Sequence, residues 1–178
     1  MNYMIIVAGG RGTRMGSDIP KQFLCVGGKP VLMLTLERFH AYDPSMELIV
    51  VLPKDQHDYW RSLCERYAFT IAHRIADGGA TRFESSKNGL ALIPDDADGL
   101  VGFHDGVRPF VSDATIRRCF ETAEEEYTAI PVMPVTSTLR VNSMIIILIW
   151  ITICRRCSSS QRQILCRAFL RLFSTAWR

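Results

Sequence analysis

The sequence predicts an α/β fold in which a mostly parallel sheet carries helices on both faces. Short apolar runs typical of buried parallel strands alternate with segments of ten or more residues that have helical character. Several of these runs end directly in glycine-containing loops, and sheets of this kind bind ligands beyond the carboxyl ends of their strands. A length of 178 residues and an apolar fraction of 48% suffice for one domain with its own core.

The first half of the chain contains two predicted strands and two predicted helices. Tyr3–Val7 is a continuous apolar run that ends at a glycine loop, and residues 47–53 form a second such run that a proline stops. Residues 30–40 have apolar side chains near helical spacing and a proline at the first position, which suits a helix start. Residues 55–67 are predicted to be helical, with Asp55 as the candidate N-cap.

The alternation continues in the next segment. Residues 70–79 predict a strand that leads into a glycine turn, and residues 81–93 predict the third helix. Residues 99–110, "GLVGFHDGVRPF", predict a fourth strand followed by a loop.

A fourth helix and a fifth strand complete the pattern. Ser112 or Asp113 can cap a helix that runs to about Tyr127. Residues 128–135 are apolar but contain two prolines, so this strand is expected near a sheet edge.

Charge is distributed unevenly along the chain. The net charge is +3, but residues 1–139 hold all 18 acidic residues and 14 of the 21 basic ones, whereas residues 140–178 hold seven arginines and no acid. The basic pI therefore comes from the tail, and it gives no reason to expect a nucleic-acid partner. The tail after Arg140 also lacks glycine, proline and lysine, a composition that favours out-of-frame translation over a membrane-surface segment.

The cysteines and the apolar runs predict a cytoplasmic protein with free thiols. The opening apolar stretch is short and has no basic segment before it, so no secretory leader is expected. The longest apolar run, residues 144–154, is too short to cross a bilayer, which needs about 20 helical residues. A buried strand is the simpler interpretation of that run, and no membrane partner is expected.

The opening loop, "AGGRGTRM" followed by "PKQF", predicts a polyphosphate site. It is neither a P-loop nor a dinucleotide fingerprint, because no Gly-Lys-Ser/Thr follows it and the third glycine position is occupied by Met15. Glycines allow main-chain N–H groups to approach an anion, Arg14 offers a bidentate fork, and Lys21 offers a compact charge. A plain strand-to-helix turn with surface cations is the alternative.

Two later loops are expected at the same edge of the sheet. "DGGATR", at residues 77–82, is a glycine turn that opens a helix, whose N-terminus can face an anion or a base carbonyl. In "HDGVRP", Asp105 could hold Mg²⁺ through water and phosphate oxygens, and Arg108 could meet a second phosphate. A local ion pair between Asp105 and Arg108 is the alternative, and His104 is expected to be a packing residue and not a base.

Four motifs, "AGGRGTRM…PKQF", "LCVGGKPVL", "DGGATRFESSKNGL" and "HDGVRPF", resemble those of the 2-C-methyl-D-erythritol 4-phosphate cytidylyltransferases. The resemblance covers residues 3–141 and implies a Rossmann-like three-layer nucleotidyltransferase fold. It also implies transfer of CMP from CTP to 2-C-methyl-D-erythritol 4-phosphate with Mg²⁺ as cofactor, in the non-mevalonate isoprenoid pathway, by a homodimer. The chain then divides into a CTP-binding domain, residues 1–141, and an aberrant tail, residues 142–178.

Site residues follow from the positions of the motifs. The resemblance implies that CTP is bound by Ala8, Gly9, Gly10, Gly12, Arg14, Lys21, Gly78, Gly79, Ser85 and Asp105. Arg14 and Lys21 would be the catalytic residues that stabilise the transition state, and Asp105 would bind the metal. Arg108 and Thr138 would contact the methylerythritol phosphate.

The chain departs from the family pattern near its end. The family usually has aspartate at the position of Ser137, and a later arm with a substrate-binding arginine has no counterpart here. We therefore expect an intact CTP half and impaired activity. The alternatives are a ribitol 5-phosphate cytidylyltransferase, which shares the opening loop and the HD-x-x-RP motif, a non-catalytic nucleotide-binding fragment, and a membrane-associated protein that uses the arginine-rich tail.

Overall fold

The computed structural model describes residues 1–9 and 19–132, together with the backbone of residues 151–156. Its helices are α1 (Val31–Tyr42), α2 (His57–Arg66), α3 (Arg82–Ala91) and α4 (Asp113–Glu126), and short 3-10 turns span Lys21–Phe23 and Lys54–Gln56. Its strands are β1 (Tyr3–Val7), β2 (Cys25–Val26), β3 (Lys29–Pro30), β4 (Glu47–Leu52), β5 (Arg74–Asp77), β6 (Gly99–Asp105), β7 (Thr128–Ala129) and β8 (Ile151–Arg156).

The main sheet has six strands in the order β5-β4-β1-β6-β8-β7. The first four are mutually parallel, whereas β8 runs antiparallel to both β6 and β7. Helices separate the parallel strands along the chain, so the predicted α/β fold with a mostly parallel sheet is confirmed.

Alternate residues of the central strand enter two separate cores. Met4 and Ile6 of β1 lie in a cluster with α1, α2 and α4, whereas Ile5 lies in a cluster on the opposite face. Leu90 of α3 packs against that second cluster. The molecule is therefore three-layered, with three helices on one face of the sheet and α3 on the other. Burial on both faces explains why β1 is a continuous apolar run.

The helix starts follow local chemistry, with one correction. Pro30 immediately precedes α1, and the Ser112 side chain accepts a hydrogen bond from the Thr115 N–H at the start of α4, as predicted. The prediction that Asp55 caps the second helix is wrong. Asp55 lies inside the 3-10 turn Lys54–Gln56, so α2 begins only at His57 and has no side-chain cap.

A small hairpin precedes α1 and was not predicted. Strands β2 and β3 pair antiparallel around Gly27 and Gly28, whose φ angles are +60° and +82°. These left-handed values are those of a two-residue hairpin turn, which glycine adopts without strain. The Val31 N–H bonds to the Leu24 carbonyl at 2.9 Å, so the hairpin leads directly into α1.

The far edge of the sheet contains the last two strands. The predicted fifth strand is present as β7, only two residues long and at the edge, as its prolines indicate. Strand β8 lies between β6 and β7 and belongs to the segment that the sequence analysis separated as a tail at residue 142. Within the described part of the chain, no helix combines the length and the apolar character needed to cross a membrane.

Candidate functional site

The carboxyl ends of four parallel strands meet at one edge of the sheet. Val7 of β1 pairs in register with Val51 of β4 and with Asp105 of β6, and Leu52 pairs with Asp77 of β5. The loops that follow β1, β5 and β6 therefore start side by side. The register of these strands therefore places the beginnings of the three predicted loops at one edge of the sheet.

The loops after β1 and β6 are joined through the main chain. The Gly106 N–H donates to the Val7 carbonyl at 3.0 Å, and the Ala8 N–H donates to the Val51 carbonyl at 2.9 Å. A Cβ placed on Gly106 would lie 2.7 Å from Ala8 Cβ and 3.1 Å from Leu32 Cδ1. Only glycine allows this close approach, which brings the two loops against each other.

The main-chain N–H groups of the second glycine turn donate hydrogen bonds to acceptors within the protein. The Gly78 N–H donates to the Leu52 carbonyl at 2.7 Å, and the Gly79 N–H donates to Ser85 Oγ at 3.0 Å. The Ser85 hydroxyl in turn donates to the Thr81 carbonyl at 2.9 Å. Its proton is committed there, so this buried serine shapes the turn. The assignment of Gly78, Gly79 and Ser85 to the cytosine and ribose stays a prediction.

Ser85 also lies beside the opening loop. A Cβ on Gly9 would make an ordinary contact, 3.8 Å, with Ser85 Oγ. Gly9 is thus a neighbour of Ser85, the residue that bonds to the DGGATR turn. Four other predicted site residues lie outside the part of the chain that the structure describes: Gly10, Gly12, Arg14 and Thr138.

Two guanidinium groups flank the carboxylate at the end of β6. Arg108 Nε lies 3.4 Å from Asp105 Oδ2, and Arg82 Nη1 lies 4.0 Å from the same oxygen. The Val107 N–H donates to the other oxygen, Oδ1, at 3.3 Å. Burial lowers the pKa of Arg82. The negative charge of Asp105 opposes this decrease, and the positive charge of Arg108 adds to it. Two guanidinium groups therefore lie beside the single carboxylate of Asp105 at the ligand edge of the sheet.

Arg82 is not among the residues that the sequence analysis assigns to the site. It is the first residue of α3, whose start is a full capping box formed by Thr81 and Glu84. That motif is visible in the sequence as T-x-x-E, and it places Arg82 in the first turn of the helix at the ligand edge. The contact with Asp105 depends on the packing of α3 against the sheet, which no local pattern reports.

A magnesium ion fits this arrangement only together with phosphate. Asp105 is a single carboxylate with 17% of its side chain exposed, and the described residues contain no cluster of three or more candidate metal ligands. Mg²⁺ characteristically takes one or two carboxylates and completes its shell with water and substrate phosphates. The neighbouring arginines repel a bare cation but attract a metal–triphosphate complex, whose net charge is negative. Asp105 is therefore compatible with a metal that arrives with its nucleotide.

His104 is a packing residue, as expected. Its ring is fully buried and meets Phe39 edge to face, with the ring centroids 4.8 Å apart. Burial lowers the pKa of His104 to about 4, although the Asp105 charge opposes the decrease. The imidazole is thus neutral at physiological pH and lies inside the core beside the site.

Lys21 stands on an anchored turn. The two residues that follow it, Gln22 and Phe23, are buried. Gln22 Nε2 donates to Gln56 Oε1 at 2.7 Å, and the Phe23 ring contacts Trp60 with centroids 6.2 Å apart. The Lys21 side chain itself is half-buried. The backbone of Lys21 is thus held in place by its two buried neighbours.

Fold and site together define a class: a three-layer α/β protein whose parallel strands end in glycine turns, cations and one carboxylate, as in nucleotide-binding α/β proteins. Within that class, residues 3–155 match the family of 2-C-methyl-D-erythritol 4-phosphate cytidylyltransferases, and the chain belongs to this family. The match extends into β8, beyond the residue 141 at which the resemblance in the sequence ends.

Individual relatives agree with this assignment. A 2-C-methyl-D-erythritol 4-phosphate cytidylyltransferase of Bacteroides thetaiotaomicron is 61% identical over 137 residues, which cover 77% of this chain and 62% of the relative. One of Porphyromonas gingivalis is 51% identical over 138 residues, covering 78% of this chain and 60% of the relative. The chain thus spans about six-tenths of the length of these relatives.

Solved structures show the same fold. A 2-C-methyl-D-erythritol 4-phosphate cytidylyltransferase of Thermus thermophilus superposes with a TM-score of 0.59 at 31% identity, over 78% of this chain and 58% of that one. A 4-diphosphocytidyl-2C-methyl-D-erythritol synthase of Anaerococcus prevotii gives a TM-score of 0.69 at 21% identity, over 99% of this chain and 78% of that one. The second likeness concerns the fold alone.

Proposed function

We propose that the chain transfers CMP from CTP to 2-C-methyl-D-erythritol 4-phosphate and releases pyrophosphate. Membership of the family supports the reaction class. The observation that supports the proposal for this chain is that the loops after β1, β5 and β6 begin at one sheet edge, with Asp105 between Arg82 and Arg108.

The reaction requires charge neutralisation more than covalent participation by the protein. An oxygen of the acceptor phosphate attacks the α-phosphorus of CTP, and the bond between that phosphorus and the bridging oxygen breaks as pyrophosphate leaves. Lys21, on its anchored turn, and Arg14 are the proposed stabilisers of the negative charge that develops at the α-phosphoryl group. Arg108 is the proposed contact of the acceptor phosphate, together with Thr138.

Asp105 is the proposed metal ligand. When bound, Mg²⁺ offsets the negative charge of the triphosphate and of the departing pyrophosphate. Arg82 then acts beside it as an additional cation that holds the Asp105 carboxylate from the α3 side. We also propose a cytoplasmic homodimer, on the strength of the family resemblance.

Pyrophosphate release by the purified full chain tests the proposal. With CTP and Mg²⁺ present, release is expected to depend on added 2-C-methyl-D-erythritol 4-phosphate and not on ribitol 5-phosphate. Lys21→Met is expected to lower the rate by about 100-fold or more, because one preorganised charge at the transition state is worth that much. Lys87→Met, which removes an exposed lysine of α3, is the matched control and leaves the rate unchanged.

A non-catalytic nucleotide-binding protein is the second candidate, because the cations around Asp105 can hold a triphosphate whether or not transfer follows. Measuring CTP binding and pyrophosphate release on the same protein distinguishes the two functions. Binding of Mg–CTP without pyrophosphate release in the presence of either acceptor supports the non-catalytic protein and contradicts the transferase.

A further inference from the structure

The peptide of Gly106 is held from two sides. It lies between Asp105 and Arg108, the two residues of the loop after β6 to which the proposed function gives roles. Its N–H donates to the Val7 carbonyl of β1 at 3.0 Å. Its carbonyl accepts a hydrogen bond from Thr35 Oγ1 of α1, also at 3.0 Å.

Thr35 is an unusual residue for its position. It lies in the middle of α1, is fully buried, and has Leu32 and Leu36 of the same helix in the core around it. Packing alone would favour an apolar side chain there, since a buried hydroxyl must find a partner. Threonine in a helix ordinarily satisfies itself with the carbonyl four residues earlier, and Thr35 Oγ1 does lie 3.0 Å from the Val31 carbonyl. The single hydroxyl proton is thus shared between two carbonyls at 3.0 Å, those of Val31 and Gly106, and only Gly106 belongs to a different element.

We propose that Thr35 is a positioning residue for the nucleotidyl transfer, because its hydroxyl fixes the Gly106 peptide and thereby the directions in which Asp105 and Arg108 point. This inference rests on the proposed function. Thr35 touches neither the nucleotide nor the metal in this account and acts only through the loop.

The geometry explains why one hydroxyl matters here. Gly106 is the first residue after β6, so the rotation of its peptide sets the course of the chain to Arg108. That loop is short and closed, since the Arg108 N–H returns to the Asp105 carbonyl at 3.2 Å. Replacing the hydroxyl by a methyl group leaves the buried Gly106 carbonyl without this donor, and the peptide is then free to turn towards another.

Amide hydrogen exchange tests the mechanical part of the inference. Thr35→Val keeps the shape and removes the donor, whereas Thr35→Ser keeps the donor and removes a methyl group. We expect the Gly106 and Arg108 amides to exchange about tenfold faster in Thr35→Val, as loss of one hydrogen bond implies, and at the wild-type rate in Thr35→Ser. Unchanged exchange in Thr35→Val overturns the inference, whatever the nucleotide binding shows.

Magnesium dependence tests the functional part. The Mg²⁺ concentration that half-saturates CTP binding is expected to rise about tenfold in Thr35→Val, because Asp105 is then held less accurately. It is expected to equal the wild-type value in Thr35→Ser. Phe120→Leu, which removes the ring contact of Phe120 in α4 with Tyr42 near Asn2, at the end of β1 opposite the loops, is the control for lost stability and leaves this concentration unchanged.

The outcomes distinguish the inference from the function on which it rests. Equal Mg²⁺ dependence in wild type and Thr35→Val contradicts the inference and leaves the proposed function standing. Failure of the wild-type chain to bind CTP with Mg²⁺ contradicts both. An equal shift in Phe120→Leu and Thr35→Val shows a general effect of stability and overturns the positioning role.

Discussion

Replacing Gly106 by alanine is expected to destabilise the fold, because the new methyl group would clash with Ala8. The added Cβ would lie 2.7 Å from Ala8 Cβ, whereas carbon atoms pack at about 3.5–4.0 Å. One of the two loops must therefore shift by about 1 Å, and overpacking of this size costs about 1–3 kcal/mol. The second contact, 3.1 Å to Leu32 Cδ1, is with the end of a flexible side chain and is relieved more easily.

The Ala8→Gly variant isolates the contact. It removes the methyl group that the new Cβ meets, so Gly106→Ala is expected to cost less in the Ala8→Gly background than in the wild type. Urea unfolding of the four proteins, wild type, both single variants and the double variant, gives the coupling energy, which we expect to be about 1 kcal/mol in favour of the double variant. Additive effects of the two substitutions would refute the claim that these two loops touch at these atoms.

Two further predictions concern stability. Burial lowers the pKa of His73, whose Nε2 accepts a hydrogen bond from Trp60 Nε1 at 2.9 Å, so the fold favours the neutral imidazole. The contribution of the neutral imidazole to stability is complete above a pH of about 6.5 and is lost as the pH falls below that value. In urea titrations, His73→Gln should therefore lose less unfolding free energy than the wild type between pH 7.5 and 5.5. An equal loss in both proteins would contradict this. Thr81→Ala removes half of the capping box that starts α3 and should lower the unfolding free energy by about 1 kcal/mol, measured in the same way, whereas an unchanged midpoint would show that the cap is not needed.

The fold was largely predictable because its parallel strands are buried on both faces. Tyr3–Val7 is a strand from end to end, and every residue in it is buried, which is why a plain apolar run identified it. The start of α4 was predictable for a local reason, since Ser112 bonds to the N–H of Thr115 only three residues away. Signals that act within one turn, or along one strand, can be read from the sequence.

Elsewhere local signals were absent or were overridden. Asp55 is a residue type that often caps helices, but it lies inside a 3-10 turn, and α2 begins two residues later at His57. The hairpin around Gly27 and Gly28 was missed because its strands are two residues long, although Gly-Gly between two short runs is a recognised turn signal. The apolar run at residues 144–154 indicates a strand, and β8 overlaps it, but its pairing with β6 joins residues about fifty positions apart and no local pattern indicates that partner.

The candidate site shows the same division. Asp105 and Arg108 were predictable because they belong to one motif at the end of a predicted strand. Arg82 and Thr35 join them from α3 and α1, and each meets the loop only through tertiary packing. Sequence reasoning finds the residues that a loop carries, and the structure adds those that other elements bring to it.

Calorimetric titration of CTP into the chain, with and without Mg²⁺, is the decisive measurement for the proposed metal–triphosphate site. We expect CTP to bind more tightly with Mg²⁺, Asp105→Asn to abolish the difference, and Asp58→Asn, at an exposed carboxylate of α2, to preserve it. Binding of CTP that is equally tight with and without Mg²⁺ in the wild-type chain, or unaffected by Asp105→Asn, would contradict the assignment of this sheet edge as a metal–triphosphate site.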